Sequence, residues 1–378
     1  MCRKSKTTSR WLRGAAVLFF WLTAASTVLR VVLEFSPSLA EGFYRYFTRH
    51  IQGFMGIITS SLPFSLAETA IMLLPFAVLA VLWYGISAIV RRDKKRGWST
   101  LCVVIIIAGY TSTTYLLGLS TLYCRPSLSH LSGIENSPVS AEVLGTALDL
   151  AATEIEKSRK SESLTVSKDG GTVCPYGFDE LSDKIEDAYG RYAEKNSWLS
   201  TYRANAKQIA LSDYMTYTHI SGIYTPYTGE ANINVNYPDF IVVSTMAHEK
   251  AHQKGIAPEN EANVLAMIVL CESGDPYLEY CGYMSVYSEL LSAYFVADYD
   301  GYVSHIRTKL PSIVLSEFQA YSAFFDRYRE ATASRVADSV NDAYLRANGE
   351  VHGTRSYGMV VDMGANYLAA EFNKPRYE

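Results

Sequence analysis

The sequence predicts a mainly α-helical membrane protein with a small β-sheet, in which three N-terminal transmembrane helices precede an α+β domain. The first third of the chain is dominated by long apolar runs, whereas charged residues, tyrosines and asparagines are interspersed after Arg125. Three of the runs are as long as the roughly 20 residues that cross a bilayer. Beyond them, apolar residues recur mostly at helical spacing, and one short segment alternates as a strand does.

Composition narrows the class of protein and of partner. The 378 residues carry a net charge of -4 and a sequence pI near 6.0, so no overall basic field favours nucleic acid as a partner. The six cysteines form no CxxC metal motif. Cys271 and Cys281 could pair in an oxidising compartment or remain two buried thiols, and the sequence leaves both readings open.

The membrane anchor occupies residues 14–123 and contains three predicted spans at about 14–33, 66–90 and 100–122. The first span contains Arg30 near its end, where a long basic side chain can reach the interface. A cleaved signal peptide is the alternative for this first segment, because basic residues precede an apolar stretch that ends in small residues.

Basic segments predict the orientation of these spans. Residues 1–13 are basic, and the loop at 91–96 contains five basic residues and one aspartate. Such loops are retained in the cytoplasm, so residues 35–65 and 124–378 are expected on the outer side of the cell membrane. The expected localisation is therefore a multi-pass membrane protein with an extracytoplasmic C-terminal domain, for which the lipid bilayer is one partner.

Hydrophobic periodicity outlines the elements outside the spans. An amphipathic helix at 43–58 is expected to lie on the outer leaflet. Three asparagines alternate with Ile233 and Val235, which predicts a strand. The remaining predicted elements are helices at 137–160, 180–197, 204–211 and 241–254, a loop at 161–171, the strand at 230–236, and mainly helix from Glu259 onward.

The pentapeptide His-Glu-Lys-Ala-His at 248–252 has the spacing of a zinc site. Residues four apart lie on one face of a helix, so His248 and His252 can converge on one Zn²⁺. Glu249 is offset by one position, which lets its carboxylate act as the general base for a water molecule. The small and apolar flanks indicate a buried helix, where two imidazoles and a carboxylate are costly without a ligand.

A catalytic zinc site needs a third protein ligand and an open position. Pro258 occupies the place of the third histidine in HExxHxxGxxH, and it favours a helix start. A second helix folding back would then present Glu259, with Asn263 four residues later. Glu259 is the preferred third ligand, Glu261 is the second candidate and Glu272 is the third.

These residues resemble a family of bacterial membrane proteins known as domain of unknown function 3810. The likeness covers most of the chain, including 63–65, Glu68, 123–126, 228–232, 248–255, 259–263, Tyr283 and 356–358. The pattern at 259–266 is also similar to the Glu-x-x-Ala-Asp pattern of membrane-bound gluzincins of the CAAX-prenyl-protease type, with Asn263 in place of the aspartate. The resemblance implies a zincin-like, gluzincin-type metallopeptidase domain, and it supplies no substrate.

The function expected from these observations is a membrane-anchored zinc endopeptidase acting on a peptide or protein at the outer membrane face. Zn²⁺ would activate a water molecule with Glu249 as general base, and the strand at 230–236 would align substrate. Tyr283 and Tyr357 are the candidate oxyanion donors. An inactive zinc-stabilised binding or assembly module of the envelope is the alternative; a transporter is disfavoured because the spans contain few charges.

Overall fold

The computed structural model describes residues 2–161, 164–329, 332–348 and 357–372, and these are mainly helical with two small sheets. Three long apolar helices lie near the N-terminus: α1 (Cys2–Glu34), α4 (Leu66–Val90) and α5 (Lys94–Gly118). Each is long and apolar enough to cross a membrane. Ser65 and Asp93 cap the N-termini of α4 and α5 with their side chains. The predicted mainly α fold and the three apolar helices are confirmed.

The segment between α1 and α4 folds into helix α2 (Pro37–Phe43), a π-helical turn (Tyr44–Thr48) and helix α3 (Arg49–Ser60). The sequence predicted one amphipathic helix at 43–58. The helical conformation is confirmed there, but it starts earlier because Ser36 caps α2.

The remaining helices form the domain that follows the apolar anchor. They are α6 (Leu128–Ser132), α7 (Ala141–Arg159), α8 (Phe178–Lys195), α9 (Ser212–Thr216), α10 (Asp239–Gln253), α11 (Glu259–Cys271), α12 (Pro276–Ala297), α13 (Tyr299–Thr308), α14 (Ser312–Phe325), α15 (Thr332–Ala347) and α16 (Tyr357–Phe372). Helices α7, α8, α10, α11, α12 and α16 share one large core. The helix α10 lies inside this core, and Val243, Met246 and Ala247 on it are fully buried.

A hairpin of β1 (Thr165–Val166) and β2 (Thr172–Val173) lies within and just after the predicted loop at 161–171. The second sheet has the strand order β3-β5-β4, with β3 (Lys207–Gln208), β4 (Gly222–Thr225) and β5 (Glu230–Ile233). Strand β5 pairs in parallel with β3 and antiparallel with β4.

One prediction about this sheet is confirmed in part, from Glu230 to Ile233, and a second is wrong. The strand predicted at 230–236 ends at Ile233, and Asn232 and Asn234 on its expected polar face are buried. Asn232 is buried because Ser65, at the start of α4, donates a hydrogen bond of 2.6 Å to its side-chain oxygen. The helix predicted at 204–211 is extended instead, because β3 pairs with β5 and the Lys207 ammonium donates to the carbonyl of Leu62.

The domain packs on one end of the apolar helices. The Glu230 carboxylate accepts hydrogen bonds from the backbone N–H groups of Leu66 and Ala67 at 3.0 and 2.8 Å. In return, the Glu68 carboxylate accepts from the backbone N–H groups of Ala210 and Leu211. The bonds to Glu230 satisfy donors that the start of α4 leaves unpaired, and they fix β5 at the N-terminus of this helix.

Cys271 and Cys281 are free thiols, as are the other cysteines that the structure describes in the domain. The reading of this pair as two thiols is therefore confirmed.

Candidate metal centre

Two histidines of α10 face the same point. His248 and His252 lie one turn apart, and their Nε2 atoms are 3.1 Å from each other. The helix positions them because residues four apart share a face. His252 is almost fully buried, whereas His248 and Glu259 remain partly accessible.

A tight turn brings the third group back to these histidines. Gly255 has a φ of +105°, and a Cβ at this position would lie 2.4 Å from the Tyr44 ring. Glycine alone fits such a left-handed turn without strain. Pro258 then forms the N-cap of α11, so that Glu259 starts the helix, as the sequence predicted.

The three converging atoms form a triangle close in size to one face of a tetrahedral zinc site. The Glu259 Oε2 atom is 3.1 Å from His248 Nε2 and 3.5 Å from His252 Nε2, and the two nitrogens are 3.1 Å apart. In a tetrahedral zinc site with bonds of 2.0–2.1 Å, neighbouring ligand atoms are about 3.3–3.4 Å apart. The three atoms therefore converge on one point at the spacing of a tetrahedral face.

Hydrogen bonding selects the tautomer of His252. Its Nδ1 atom is 2.7 Å from the backbone carbonyl of Ile256. A carbonyl oxygen only accepts, so Nδ1 is the donor and, in the neutral ring, Nε2 presents a lone pair to the centre. Backbone carbonyls hold metal-binding histidines in this way. The Nδ1 atom of His248 is buried and has no hydrogen-bond partner among the described residues.

The electrostatics of the site favour a positive charge. Burial alone would lower the pKa of His252, but the charge and hydrogen bond of Glu259 outweigh it and raise that pKa to about 9. Burial alone would raise the pKa of Glu259, and the two histidines instead hold it well below its usual range. In the absence of a metal, a proton therefore occupies the position at which a cation would be bound.

Glu249 lies between the histidines and strand β4. A Cβ at Gly222 would be 2.8 Å from both the Cγ and the Oε1 of Glu249. Burial raises the pKa of Glu249, while the charges of His248 and His252 and a hydrogen bond from the Tyr224 backbone oppose that rise. A carboxylate with a raised pKa beside a cation site is suited to accept a proton near neutral pH.

The other predicted acidic ligands are placed differently. Glu261 does not belong to the converging group, and it lines a cavity of about 210 Å³ together with Arg125, Ser127 and Pro258. Glu272 follows the last residue of α11, where its carboxylate accepts a hydrogen bond of 2.8 Å from the Tyr367 hydroxyl. The thirteen residues of α11 place Glu272 about 20 Å from Glu259.

The predicted oxyanion donors do not gain support. Tyr283 on α12 packs against the domain core, and burial and the neighbouring Cys271 raise its pKa. Cys271 ends α11, so Tyr283 lies near the end opposite to Glu259. The side chain of Tyr357 lies outside the part of the chain that the structure describes.

Three buried charges support the face of α10 opposite to the histidines. The Lys250 ammonium donates to the Glu186 carboxylate and to the Ala204 carbonyl, both at 2.8 Å. The Lys254 ammonium donates to the same carboxylate and to the Tyr202 carbonyl. Spacing could have indicated that both lysines lie opposite to the histidines, but Glu186 lies 64 residues earlier and no local pattern indicates it.

Arg125 fastens the turn after α10 to the end of the third apolar helix. Its guanidinium donates to the carbonyls of Gly255 and Trp198 at 2.5 and 3.0 Å, and to Glu41 at 2.8 Å. The same group stacks on the Tyr44 ring, 3.7 Å from its centroid. The position of the turn that precedes Glu259 is thus tied to Glu41 of α2 and to Tyr44 of the π-helical turn.

Comparisons with known proteins give one match. The family model described as protein of unknown function (DUF3810) matches residues 40–363. A search of curated proteins found no match, and neither did a search of solved structures. The matched range includes α3, the β3-β5-β4 sheet and the converging residues of α10 and α11. The chain belongs to the DUF3810 family.

Proposed function

We propose that this protein is a membrane-anchored zinc metallopeptidase. The observation that supports this function is the triangle of His248 Nε2, His252 Nε2 and Glu259 Oε2, whose edges of 3.1–3.5 Å match those of a tetrahedral zinc site. Two imidazoles and one carboxylate are the ligand set of hydrolytic zinc enzymes of the His₂Glu type. The donor set therefore fits Zn²⁺.

An accessible side of the triangle supports a catalytic site over a structural one. The Glu259 side chain is 34% exposed, whereas His252 is 8% exposed. Structural zinc sites enclose the ion with four protein ligands, and catalytic sites leave one position open. Within the described ranges, the converging group contains three donors. Zinc bound here would polarise a substrate carbonyl and lower the pKa of a water molecule.

Glu249 is the proposed general base. It would accept the proton of the attacking water and return it to the leaving amine, as expected of a carboxylate whose pKa is raised by burial. Its position against Gly222 puts β4 beside the site of reaction. The residues of this chain thus supply metal binding, proton transfer and a backbone surface for the substrate.

We propose that a peptide substrate aligns along β4. The sequence had instead suggested the strand at 230–236 for this role. Strand β5 has partners on both edges, so it has no free edge for a peptide. In the described part of the sheet, β4 pairs on its β5 side alone, and Ile223 on it is exposed. A peptide could add to this edge as a further strand next to Glu249.

The proposed location is the outer face of the cell membrane. The domain packs on the end of the bundle where α4 starts and α5 ends, which is the end opposite to the basic loop at 91–96. Because basic loops stay in the cytoplasm, this end is assigned to the outside.

The test of this function compares the wild type with Glu249→Gln. The variant retains the size and hydrogen bonding of the side chain but lacks the basic carboxylate, so zinc content and thermal stability should stay unchanged. Loss of a general base costs on the order of 100-fold to 10,000-fold in rate. We expect the purified wild type to cleave members of a diverse peptide library, and the variant to be nearly inactive.

The binding-module alternative makes the opposite prediction for the same variant. If zinc stabilises the domain and the wild type cleaves no peptide, then a cellular phenotype of gene deletion should be restored by Glu249→Gln and not by His248→Ala. That combination of results would refute the peptidase.

A further inference from the structure

Helix α3 and the turn before it have an exposed side that consists of apolar residues. Phe47, Ile51, Phe54 and Ile58 recur at steps of four, three and four residues, which is one helical face. All four are exposed, and Phe54 is 64% exposed. In water this side would be an unusual apolar stripe for a monomer.

The opposite side of α3 is in tight contact with the domain. A Cβ at Gly53 would lie 2.3 Å from the Tyr202 ring, and one at Gly56 would lie 2.9 Å from the Ala204 Cβ. Small residues let a helix approach this closely. The helix therefore has one face on the domain and the other directed away from it.

The bilayer is close to this helix because both ends of its segment continue into apolar helices. Helix α1 ends at Glu34 and α4 begins at Leu66, and both are candidate membrane spans. The segment at 35–65 therefore starts and ends at the same membrane surface. Phe35 and Phe64, at its two ends, are also exposed.

The metal centre lies one helix layer above this apolar side. Gln253, the neighbour of His252, donates a hydrogen bond of 2.7 Å to the Gly229 carbonyl. A Cβ at Gly56 would be 3.4 Å from that same carbonyl oxygen. A helix with its side chains is about 10 Å thick, so roughly this distance separates Gln253 from the apolar side of α3.

We propose that the apolar side of α3 is embedded in the outer leaflet of the bilayer, and that the metal centre therefore acts on peptide segments that emerge from the same membrane. The second part rests on the proposed peptidase function and specifies its substrate class. The occupant of the apolar side is lipid, because the segment joins two candidate spans and the four exposed residues that recur along that side are apolar.

The geometry limits how far from the membrane a bond can be cleaved. An extended chain advances about 3.3 Å per residue, so a height of about 10–20 Å corresponds to roughly three to six residues. Allowing for irregular conformation, the scissile bond should lie within about ten residues of the end of the substrate's own span.

Lipid contact is tested on the full chain in vesicles, independently of any activity. A fluorescent unnatural amino acid is placed at Phe54 in one variant and at Ile58 in a second, with the exposed Lys157 as the matched control position. At 54 and 58, lipids brominated on their acyl chains should quench the emission and aqueous iodide should not. At 157 the reverse is expected. Iodide quenching at 54 and 58 equal to that at 157 would overturn the proposed embedding.

The substrate class is tested with one randomised peptide library in three formats. The segments are free in solution, about four residues after a transmembrane anchor, or roughly 30 residues after it on a flexible linker. With the full chain in the same vesicles, we expect cleavage of the short-linker format to be at least on the order of 10-fold faster than that of the others. The Glu249→Gln variant gives the background.

The possible results separate the two proposals. Equal rates in all three formats would refute the substrate class and leave the peptidase standing. Cleavage in none of the formats would refute the peptidase and its substrate class together. The fluorescence result decides the embedding of α3 in either case.

Discussion

Without a bound metal, the stability of the domain should depend on the protonation of His252. In the metal-free protein, burial lowers the pKa of this residue, but Glu259 outweighs it and raises the pKa to about 9. A histidine in the unfolded chain has a pKa near 6.5. A raised pKa contributes stability that is fully present below pH 6.5 and is lost as the pH rises through 9.

The size of this effect follows from the two pKa values. One pKa unit corresponds to about 1.4 kcal/mol, so the metal-free protein should lose on the order of 3 kcal/mol from this residue between pH 6.5 and pH 9. For a domain of this size, the midpoint of thermal unfolding should fall by roughly 5–10 °C. The lowered pKa of Glu259 affects stability in a different pH range. The stability that this carboxylate contributes is present above about pH 4.5 and is lost as the pH falls below that value.

Thermal unfolding of the full chain in detergent, with chelator and with zinc, measures this effect between pH 6 and pH 9.5. The matched control is His252→Gln, which has a neutral side chain at all these pH values. The difference between wild type and control isolates the histidine from other titrating groups. With zinc present the metal replaces the proton, so the stabilisation by zinc should grow as the pH rises.

Parallel pH profiles of the wild type and His252→Gln without metal would contradict this reasoning. So would a wild type that becomes more stable, relative to the control, between pH 6.5 and pH 9. Either result would mean that Glu259 does not hold a proton on His252, and the arrangement of the ligand triangle would then be incorrect.

The remaining predictions concern the ligand set, the topology and the buried charges. Glu259→Ala should reduce the zinc content measured by atomic emission far more than Glu261→Ala, and an equal effect would reject the triangle. A reporter enzyme that is active outside the cytoplasm should be active after the C-terminus and silent in the loop at 91–96, whereas the reverse would place the domain inside. Glu186→Gln leaves two buried ammonium groups unpaired and should destabilise the domain by about 3–5 kcal/mol in denaturant titrations. Lys250→Met should destabilise the domain less, because Glu186 keeps Lys254 as a partner. A larger loss of stability for Lys250→Met than for Glu186→Gln would refute this reasoning.

Local patterns predicted the parts of the molecule that depend on local physics. Span lengths follow from the number of apolar residues, and the start of α11 follows from the fixed φ of Pro258. The convergence of His248 and His252 follows from helical periodicity.

Features that depend on distant partners could not be predicted in this way. Strand β3 has two residues, and its extended conformation comes from pairing with β5, some 25 residues later in the chain. Tyr283 follows the metal motif in sequence, but α11 separates it from Glu259 by the length of a helix. Sequence distance therefore gave no information about which end of α11 it would contact.

The two faces of α10 explain how a helix buried among charges can present His248 and His252 to Glu259. Lys250 and Lys254 each follow a histidine by two positions, a rotation of about 200°, so they lie on the opposite face. There Glu186 binds both ammonium groups, and one backbone carbonyl accepts a further hydrogen bond from each of them. Buried ion pairs add little net stability, but they are costly to break and so fix one orientation of the helix. Rotating α10 to turn its histidines away from Glu259 would break these bonds. The ion pairs of Lys250 and Lys254 therefore keep His248 and His252 directed toward Glu259.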